Sequence, residues 1–269
     1  MDKKKFETPS LTMDELSEEL VIAKLSLEQA NKQLLAEQQA RSQMFANISH
    51  DLRSPITAIK NAVELLSAME DYPPEKVHPL LHLMDSRIHT LEQMINDIFF
   101  LVSLENNCLK MNPKQLPLGF FLEDYFFTQE ADSRYKDRKL ELLVPESFDA
   151  TVFVDPNALT RVLDNLFSNA LKYSKEGASI RLGATKEEQQ VTIFIEDTGI
   201  GIAQEHLEKI FDRCFIVEKA RTPGVSSTGF GLSITKAIIE YFSGTIICRS
   251  KLGVGSCFSF TLPLFKEDN

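Results

Sequence analysis

The chain has no tryptophan and few cysteines, and it lacks any long apolar run. Its four cysteines (Cys108, Cys214, Cys248, Cys257) lie far apart without a C-x-x-C pair, which favours neither a zinc site nor a disulfide framework. No stretch approaches the roughly 18 apolar residues of a membrane span, and no signal-peptide core follows the lysine-rich start. These absences predict a soluble chain in a reducing, cytoplasmic setting.

Positive charge is also in short supply. The 39 acidic residues outnumber the 29 basic ones, which gives a formal net charge of -10. A uniformly acidic chain repels phosphate backbones, so nucleic acid is excluded as the main partner. The 269 residues, 43% hydrophobic and 25% charged, are ordinary for folded protein and predict about two domains.

Glycine and proline are missing between Met13 and Leu52, a stretch dominated by Glu, Gln, Lys, Leu and Ala that is typical of one long helix. Its apolar residues form two series with a heptad spacing: Met13, Leu20, Leu27 and Leu34, and, three residues later, Leu16, Ala23 and Ala30. Such a and d positions predict a coiled coil with a partner helix over residues 1–39. The alternative is a long amphipathic helix that packs on its own chain.

Residues 40–107 are predicted to form a helical hairpin. The first helix continues through Pro55 to about Ala68, a turn follows at 71–74, and a second helix spans about 75–105. The inward positions of the first helix are Ile48, Leu52, Ile59, Val63 and Leu66. A hairpin is half of a four-helix core, so we expect a homodimer.

The opposite stripe of the first helix contains a candidate nucleophile. His50 shares this stripe with Ser54, at helical spacing, and therefore faces solvent. A neutral imidazole is a competent nucleophile near pH 7, and Asp51 beside it can hydrogen-bond the other ring nitrogen. A plain solvated histidine is the alternative.

Residues 112–269 have a different pattern, with short strands and helices interleaved up to a terminal hairpin. This order predicts a mixed sheet with helices on one face, and an α+β chain as a whole. One of these helices, predicted over 155–173, has Asn165, Asn169 and Lys172 in a narrow polar sector, with Tyr173 at its edge. Asparagine carbonyls can bind Mg²⁺ beside phosphates that a lysine neutralises. An ordinary polar helix surface is the alternative.

A predicted strand over 191–197 ends in a D-x-G-x-G pattern formed by Asp197, Gly199 and Gly201. A carboxylate there can accept a hydrogen bond from an adenine amino group, while the glycines let the backbone approach the base. Taken alone, this pattern is also common in ordinary turns.

A second glycine pattern, made by Thr228, Gly229 and Gly231, directly precedes a predicted helix over 231–242. Glycine-permitted backbone at a helix N-terminus can hold a phosphate. The alternative is a plain helix entry. The long polar segment before it is typical of a lid.

Together and in this order, the motifs resemble those of the sensor histidine kinases of two-component signalling, over about residues 14–264. Residues 48–55 (ISHDLRSP) resemble the phosphoacceptor box and residues 164–173 (DNLFSNALKY) the N box. Residues 197–201 (DTGIG), 228–232 (TGFGL) and 253–258 (GVGSCF) resemble the three glycine boxes. The resemblance implies a dimerisation and phosphotransfer hairpin over 40–107 and a Bergerat-type ATP-binding domain over 112–269.

The resemblance also implies an activity, an ATP-dependent protein-histidine kinase. His50 would attack the γ-phosphoryl group with help from Asp51, and Ser54 would position water for dephosphorylating the partner. Asp197 would bind adenine, Asn169 with Asn165 would hold Mg²⁺, and the remaining residues would hold the phosphates: Lys172, Tyr173, Thr228, Gly229 and Gly231. The partner would be the receiver domain of a response regulator, and the parent protein would be anchored in the bacterial inner membrane.

The predicted lid departs from the family pattern. Cys214 replaces a usual phenylalanine and Ile216 a usual arginine, for which Arg213, Lys219 and Arg221 are the candidate substitutes. These departures motivate one alternative, a dimeric, nucleotide-binding pseudokinase that holds the regulator without phosphorylating it. A further, blander alternative is a structural coiled coil with an unrelated α/β domain.

Overall fold

The computed structural model describes residues 13–105, 108–213, 215 and 229–266. Two long helices come first, α1 (Met13–Ser67) and α2 (Pro74–Glu105). The prediction of one long helix through Pro55, followed by a second after a short turn, is therefore confirmed. The chain divides into two compact units, residues 1–50 and 51–269.

In the first unit, the described part of α1 is a single helix without glycine or proline. Its large apolar side chains are exposed to solvent in the single chain: Leu20, Val21, Ile22, Leu25, Leu27, Leu34, Leu35 and Phe45. Local interactions contribute to the stability of such a helix, for example the Lys24–Glu28 ion pair at i, i+4. Within the described residues, no helix combines the length and apolar character needed to cross a membrane.

In the second unit, the rest of α1 and α2 bury only part of their apolar surface. Ala62, Met94 and Leu101 are buried, whereas Val63 is 44% exposed. The single chain therefore does not cover Val63, which the helical period places on the inward stripe of the hairpin. Large apolar residues of α2, such as Ile95 and Phe99, are also exposed.

Besides two short 3-10 helices, the α/β part contains three α-helices and seven strands among the described residues. They are β1 (Lys114–Pro117), α3 (Leu118–Ala131), β2 (Lys139–Leu143), β3 (Thr151–Val154), α4 (Pro156–Lys172), β4 (Ser179–Lys186), β5 (Gln190–Asp197), α5 (Gly231–Tyr241), β6 (Ile246–Lys251) and β7 (Gly255–Pro263). The main sheet has the order β2-β4-β5-β7-β6. Its β2–β4 pair is parallel and its other pairs are antiparallel, which confirms the predicted mixed sheet.

Strand β1 was not predicted. Its residues, near the start of the predicted domain over 112–269, pair antiparallel with β3 in a separate two-stranded sheet. Proline is tolerated at the end of an edge strand, where its missing N–H costs no ladder bond.

The core lies between the main sheet and its helices. Side chains alternate along β5 between buried and half-buried, as expected when one sheet face is covered. The buried face of α4 is made of apolar residues: Ala158, Leu159, Val162, Leu163, Leu166, Phe167 and Ala170. Phe167 packs edge-on against Tyr125 and Tyr135. This core holds the polar face of α4 and the end of β5 in place.

Candidate functional site

Helix α4 begins with a well-formed cap. The Asp155 carboxylate accepts hydrogen bonds from the backbone N–H groups of Asn157, at 2.9 Å, and Ala158, and Pro156 occupies the first turn. The same carboxylate accepts from the backbone N–H of Asn112 at 2.8 Å. The cap thus fixes both the start of the helix and the segment that leads into the domain.

The structure places Asn165 between α4 and α5. Its Nδ2 donates to the Gly231 carbonyl at 3.1 Å and lies 3.4 Å from the Thr235 hydroxyl. Thr235 is fully buried. The amide nitrogen of Asn165 is therefore used inside the protein, while its Oδ1 stays the atom that can bind a cation.

Lys172 and Tyr173 lie at the other end of α4. Burial lowers the pKa of Lys172 to about 8, because a partly dry site disfavours the ammonium form. Its Nζ lies 5.1 Å from the centre of the Tyr173 ring. The backbone N–H of Tyr173 closes the helix by donating to the Asn169 carbonyl at 3.0 Å. An anionic ligand here would favour the ammonium form of Lys172 further.

Asp197 ends β5 and is 7% exposed. Burial raises its pKa to about 6, although the backbone N–H groups of Gly199 and Ser256 donate to the carboxylate and act in the opposite direction. The Gly199 bond measures 2.8 Å. At pH 7 the group is therefore mostly a buried carboxylate, an acceptor suited to an amino group of a ligand.

The glycine turn after Asp197 is packed tightly against its neighbours. A Cβ on Gly199 would lie 2.4 Å from the Tyr173 carbonyl oxygen, and one on Gly201, whose φ is +67°, would lie 2.1 Å from the Lys251 carbonyl oxygen. The Ile200 N–H donates to the Tyr173 carbonyl at 2.9 Å. These glycines are required because the backbone packs closely here. The sequence predicted only that they let the backbone approach a base, and this packing role was not predicted.

The predicted second glycine motif is described from Gly229 onward. Gly229 has a φ of +69°. Gly231 opens α5, and a Cβ added to it would lie 3.3 Å from Asn165 Oδ1. Thr228 lies outside the described residues, as do the lid residues Cys214 and Ile216. The Tyr173–Ile200 and Asn165–Gly231 bonds thus join the predicted motif on α4 to both glycine motifs.

The predicted phosphoacceptor residues lie on α1. His50 and Ser54 are exposed and Asp51 is half-buried. Nearby hydroxyl groups bond back to the helix, as with Ser49 Oγ to the Phe45 carbonyl and Thr57 Oγ1 to the Arg53 carbonyl, both at 2.8 Å. An exposed histidine on a regular helix is accessible to a bulky phosphate donor.

Two arginines near the site were not predicted. Arg161 of α4 pairs with Asp97 of α2 at 2.6 Å, and its guanidinium lies 4.1 Å from the centre of the Phe100 ring. Arg138 contacts Ser174 just after α4. Both contacts join residues far apart in sequence, and no local sequence pattern predicts them.

Comparison with family models gives the class of the protein. Residues 40–107 match the model described as His Kinase A (phospho-acceptor) domain. Residues 154–266 match the model described as Histidine kinase-, DNA gyrase B-, and HSP90-like ATPase. A phosphoacceptor hairpin followed by an ATPase domain is the arrangement predicted from the motifs.

The chain belongs to the sensor histidine kinases. It is 32% identical over 234 residues to the sensor histidine kinase WalK of Bacillus subtilis, a match to 86% of this chain and 38% of WalK. It is 31% identical over 227 residues to the sensor protein SrrB of Staphylococcus aureus, a match to 84% of this chain and 38% of SrrB. The chain therefore spans less than half of the length of these relatives.

Solved structures share the fold. Histidine kinase ThkA, in complex with response regulator protein TrrA, has a TM-score of 0.66 at 21% identity, covering 83% of this chain and 61% of ThkA. Full-length ShkA in complex with AMPPNP has a TM-score of 0.61 at 22% identity, covering 85% of this chain and 47% of ShkA. The predicted family and fold class are confirmed.

Proposed function

We propose that the protein is an ATP-dependent histidine kinase that phosphorylates its own His50 and passes the phosphoryl group to an aspartate of a response regulator. The observation that carries the proposal is that α4 contacts both glycine motifs, since the Tyr173 carbonyl accepts from the Ile200 N–H and the Asn165 Nδ2 donates to the Gly231 carbonyl. Asp197, Lys172 and the start of α5 thus belong to segments in mutual contact, and they offer an acceptor for adenine together with cationic and N–H groups for phosphates. The family relationship supports this activity over the pseudokinase scaffold.

ATP fits this set of groups. The buried Asp197 carboxylate would accept from the adenine amino group, and Lys172, Tyr173, Thr228, Gly229 and the start of α5 at Gly231 would hold the phosphates. Gly199 and Gly201 would keep the backbone close to the base. The lowered pKa of Lys172 agrees with a lysine in a partly dry site, whose ammonium form a bound phosphate would stabilise.

Mg²⁺ would be held by the Oδ1 atoms of Asn169 and Asn165, beside the phosphates. Within the described residues, no three His, Cys, Asp or Glu side chains cluster so that they could hold a metal. Amide oxygens on one face of α4 are hard ligands and fit a cation that is shared with a nucleotide. When bound, the ion would neutralise charge on the phosphates.

The transfer step uses a neutral imidazole. A ring nitrogen of His50 would attack the γ-phosphorus in line, so that a P–N bond forms while the P–O bond to ADP breaks. Asp51 would hydrogen-bond the other ring N–H and stabilise the positive charge that develops. Catalysis consists mainly of positioning and charge neutralisation, which requires the ATP-binding domain and His50 to meet.

We propose the receiver domain of a response regulator as the partner, supported by ThkA, whose structure contains TrrA. Ser54, one turn after His50, would position water for dephosphorylating that partner. The hairpin over 40–107 and the coiled coil over 1–39 would form a homodimer. The parent protein would be anchored in the bacterial inner membrane, with this chain as its cytoplasmic part.

Labelled ATP tests the proposal directly. We expect the full chain with Mg²⁺ and γ-labelled ATP to acquire an acid-labile, base-stable label, and His50→Gln to abolish it. His89→Gln is the matched control, because His89 is an exposed histidine on α2 whose ring contacts only Glu92 and Gln93 among the contacts described.

The remaining outcomes separate the alternatives. Label that persists in His50→Gln contradicts the phosphoacceptor assignment. A wild-type chain that binds ATP but acquires no label indicates the pseudokinase. Asn169→Ala serves as the control for ATP binding. A wild-type chain that, like this variant, does not bind ATP indicates a structural coiled coil with an unrelated domain.

A further inference from the structure

We propose that Arg138 is a positioning residue for the nucleotide site, because it clamps the end of α4 from which Lys172 and Tyr173 project. Arg138 lies in the connection before β2, outside every motif that predicted the site. The inference rests on the proposed function, since it assigns Lys172 and Tyr173 to the phosphates.

The contact itself is a fork. Arg138 Nε donates to the Ser174 hydroxyl at 3.1 Å, and Nη2 donates to the Ser174 carbonyl at 2.9 Å. Nη1 donates to the carbonyl of Asp137 at 3.3 Å. Ser174 is buried, and its hydroxyl donates to the Leu171 carbonyl at 3.3 Å. One guanidinium therefore binds both the backbone and the side chain of the residue that follows Tyr173.

The chemistry of a helix end explains why an arginine is useful here. The last carbonyl groups of a helix lack partners within it, and they carry the negative end of the helix dipole. The Arg138 cation satisfies the Ser174 carbonyl just beyond that end and adds favourable charge there. Only a planar guanidinium can reach two acceptors of one residue in this geometry.

The opposite side of the same turn is held by the adenine-binding segment. The Ile200 N–H donates to the Tyr173 carbonyl at 2.9 Å, and Gly199 is packed against that carbonyl. Residues 173 and 174 therefore lie between Arg138 and the glycine turn that begins at Asp197. If the Arg138 clamp is lost, the last turn of α4 can fray, and Lys172 then no longer keeps its position relative to Asp197.

Arg138→Lys separates position from charge. Lysine keeps the positive charge but offers a single flexible ammonium, which cannot make both bonds to Ser174. We expect the ADP affinity of the full chain to fall on the order of tenfold, the equivalent of one lost charge-assisted hydrogen bond. Ser174→Ala, which removes only the hydroxyl contact, should give a smaller loss of ADP affinity.

The experiment is isothermal titration of the full chain with ADP, together with the thermal midpoint of each variant. Arg134→Lys is the matched control, because Arg134 lies in the same connection and pairs with Asp132 at the surface. A tenfold loss for Arg138→Lys with unchanged binding by Arg134→Lys, measured well below both midpoints, supports the proposal. A lowered midpoint with wild-type ADP affinity overturns it, since that result describes a purely structural arginine.

Hydrogen exchange keeps the inference distinct from the proposed function. A wild-type chain that binds no ADP contradicts the proposed function, whatever Arg138 does. In that event, amide exchange of residues 170–176 without nucleotide still tests the clamp. We expect faster exchange there in Arg138→Lys than in Arg134→Lys, and equal rates in the two variants overturn the inference.

Discussion

The two long helices and the α/β domain treat their apolar residues in opposite ways. Along the first half of α1, leucines at successive turns are largely exposed, whereas the domain buries Phe167, Ile193 and Phe260 completely. A single chain thus contains one region whose core is closed and one whose apolar surface is open. We therefore expect the domain to be stable by itself, and the proposed homodimer to bury the open surface of the helices.

The largest effect should come from breaking the open surface where a second helix would cover it. Leu27 and Leu34 occupy a positions of the heptad series, whereas Leu25 and Leu35 do not. All four are similarly exposed in the single chain, at 62%, 56%, 60% and 59% respectively. We expect Leu27→Glu with Leu34→Glu to weaken the dimer at least thousandfold, since each buried, unpaired carboxylate costs about 3 kcal/mol or more.

The control for this pair is Leu25→Glu with Leu35→Glu, measured by sedimentation velocity over a range of concentrations. It changes the net charge equally and removes equally exposed leucines. If both double variants dissociate to the same extent, the heptad seam is not the interface. Equal retention of the dimer by both would leave residues 40–107 as the only part that associates.

The closed core of the domain should respond to truncation without any partner. Phe167→Ala removes a fully buried ring from between Tyr125 and Tyr135, and we expect the free energy of unfolding to fall by about 3–5 kcal/mol. Phe120→Ala, on the exposed side of α3, should change it by less than about 0.5 kcal/mol. Urea unfolding measures both, and equal losses would contradict the division between a closed core and open surfaces.

The buried carboxylate of Asp197 lowers the stability of the closed domain at neutral pH. Its folded-state pKa is raised to about 6, so the protonated group favours folding below about pH 4, and this contribution is lost as the pH rises through 6. We expect Asp197→Asn to raise the free energy of unfolding at pH 8 by up to about 2 kcal/mol, after a reduction for partial solvent contact. The same variant should lose ADP affinity.

Urea unfolding of the two proteins between pH 4 and pH 8 tests this expectation. The stability gain of Asp197→Asn should vanish towards pH 4, where the aspartate is protonated as well. A gain that is independent of pH would show that burial of the carboxylate charge is not its cause.

The sequence predicted the parts of this architecture that local patterns encode. Asp155 and Pro156 begin α4, the heptad leucines define the long helix, and the order of the motifs indicated the family. Contacts between distant segments were not predictable in this way. The Arg138–Ser174 bond joins residues 36 apart and the Arg161–Asp97 pair residues 64 apart, and each depends on how whole elements pack.

Neither strand β1 nor the exposure of Val63 in the single chain was predicted from the sequence. The four residues Lys114–Pro117, which follow one proline and end in another, show too little alternation to indicate a strand, and only their pairing with β3 reveals one. The helical period placed Val63 inward, but it cannot tell a face covered by the same chain from one that a second copy covers. The exposure of Val63 is therefore consistent with the open surface of the helices.

The smallest expected effect concerns the ion pair that connects the two regions. Arg161 of α4 binds Asp97 at 2.6 Å and stacks on Phe100, and both partners belong to α2. The pair is partly buried, so we expect a coupling energy of about 1 kcal/mol in a double-mutant cycle of Asp97→Asn and Arg161→Lys. The more exposed pair Arg181–Glu141 should give less than about 0.5 kcal/mol in the matching cycle. Urea unfolding of each variant supplies both values. A coupling energy of zero between Arg161 and Asp97 would mean that this ion pair does not stabilise the ATP-binding domain against α2.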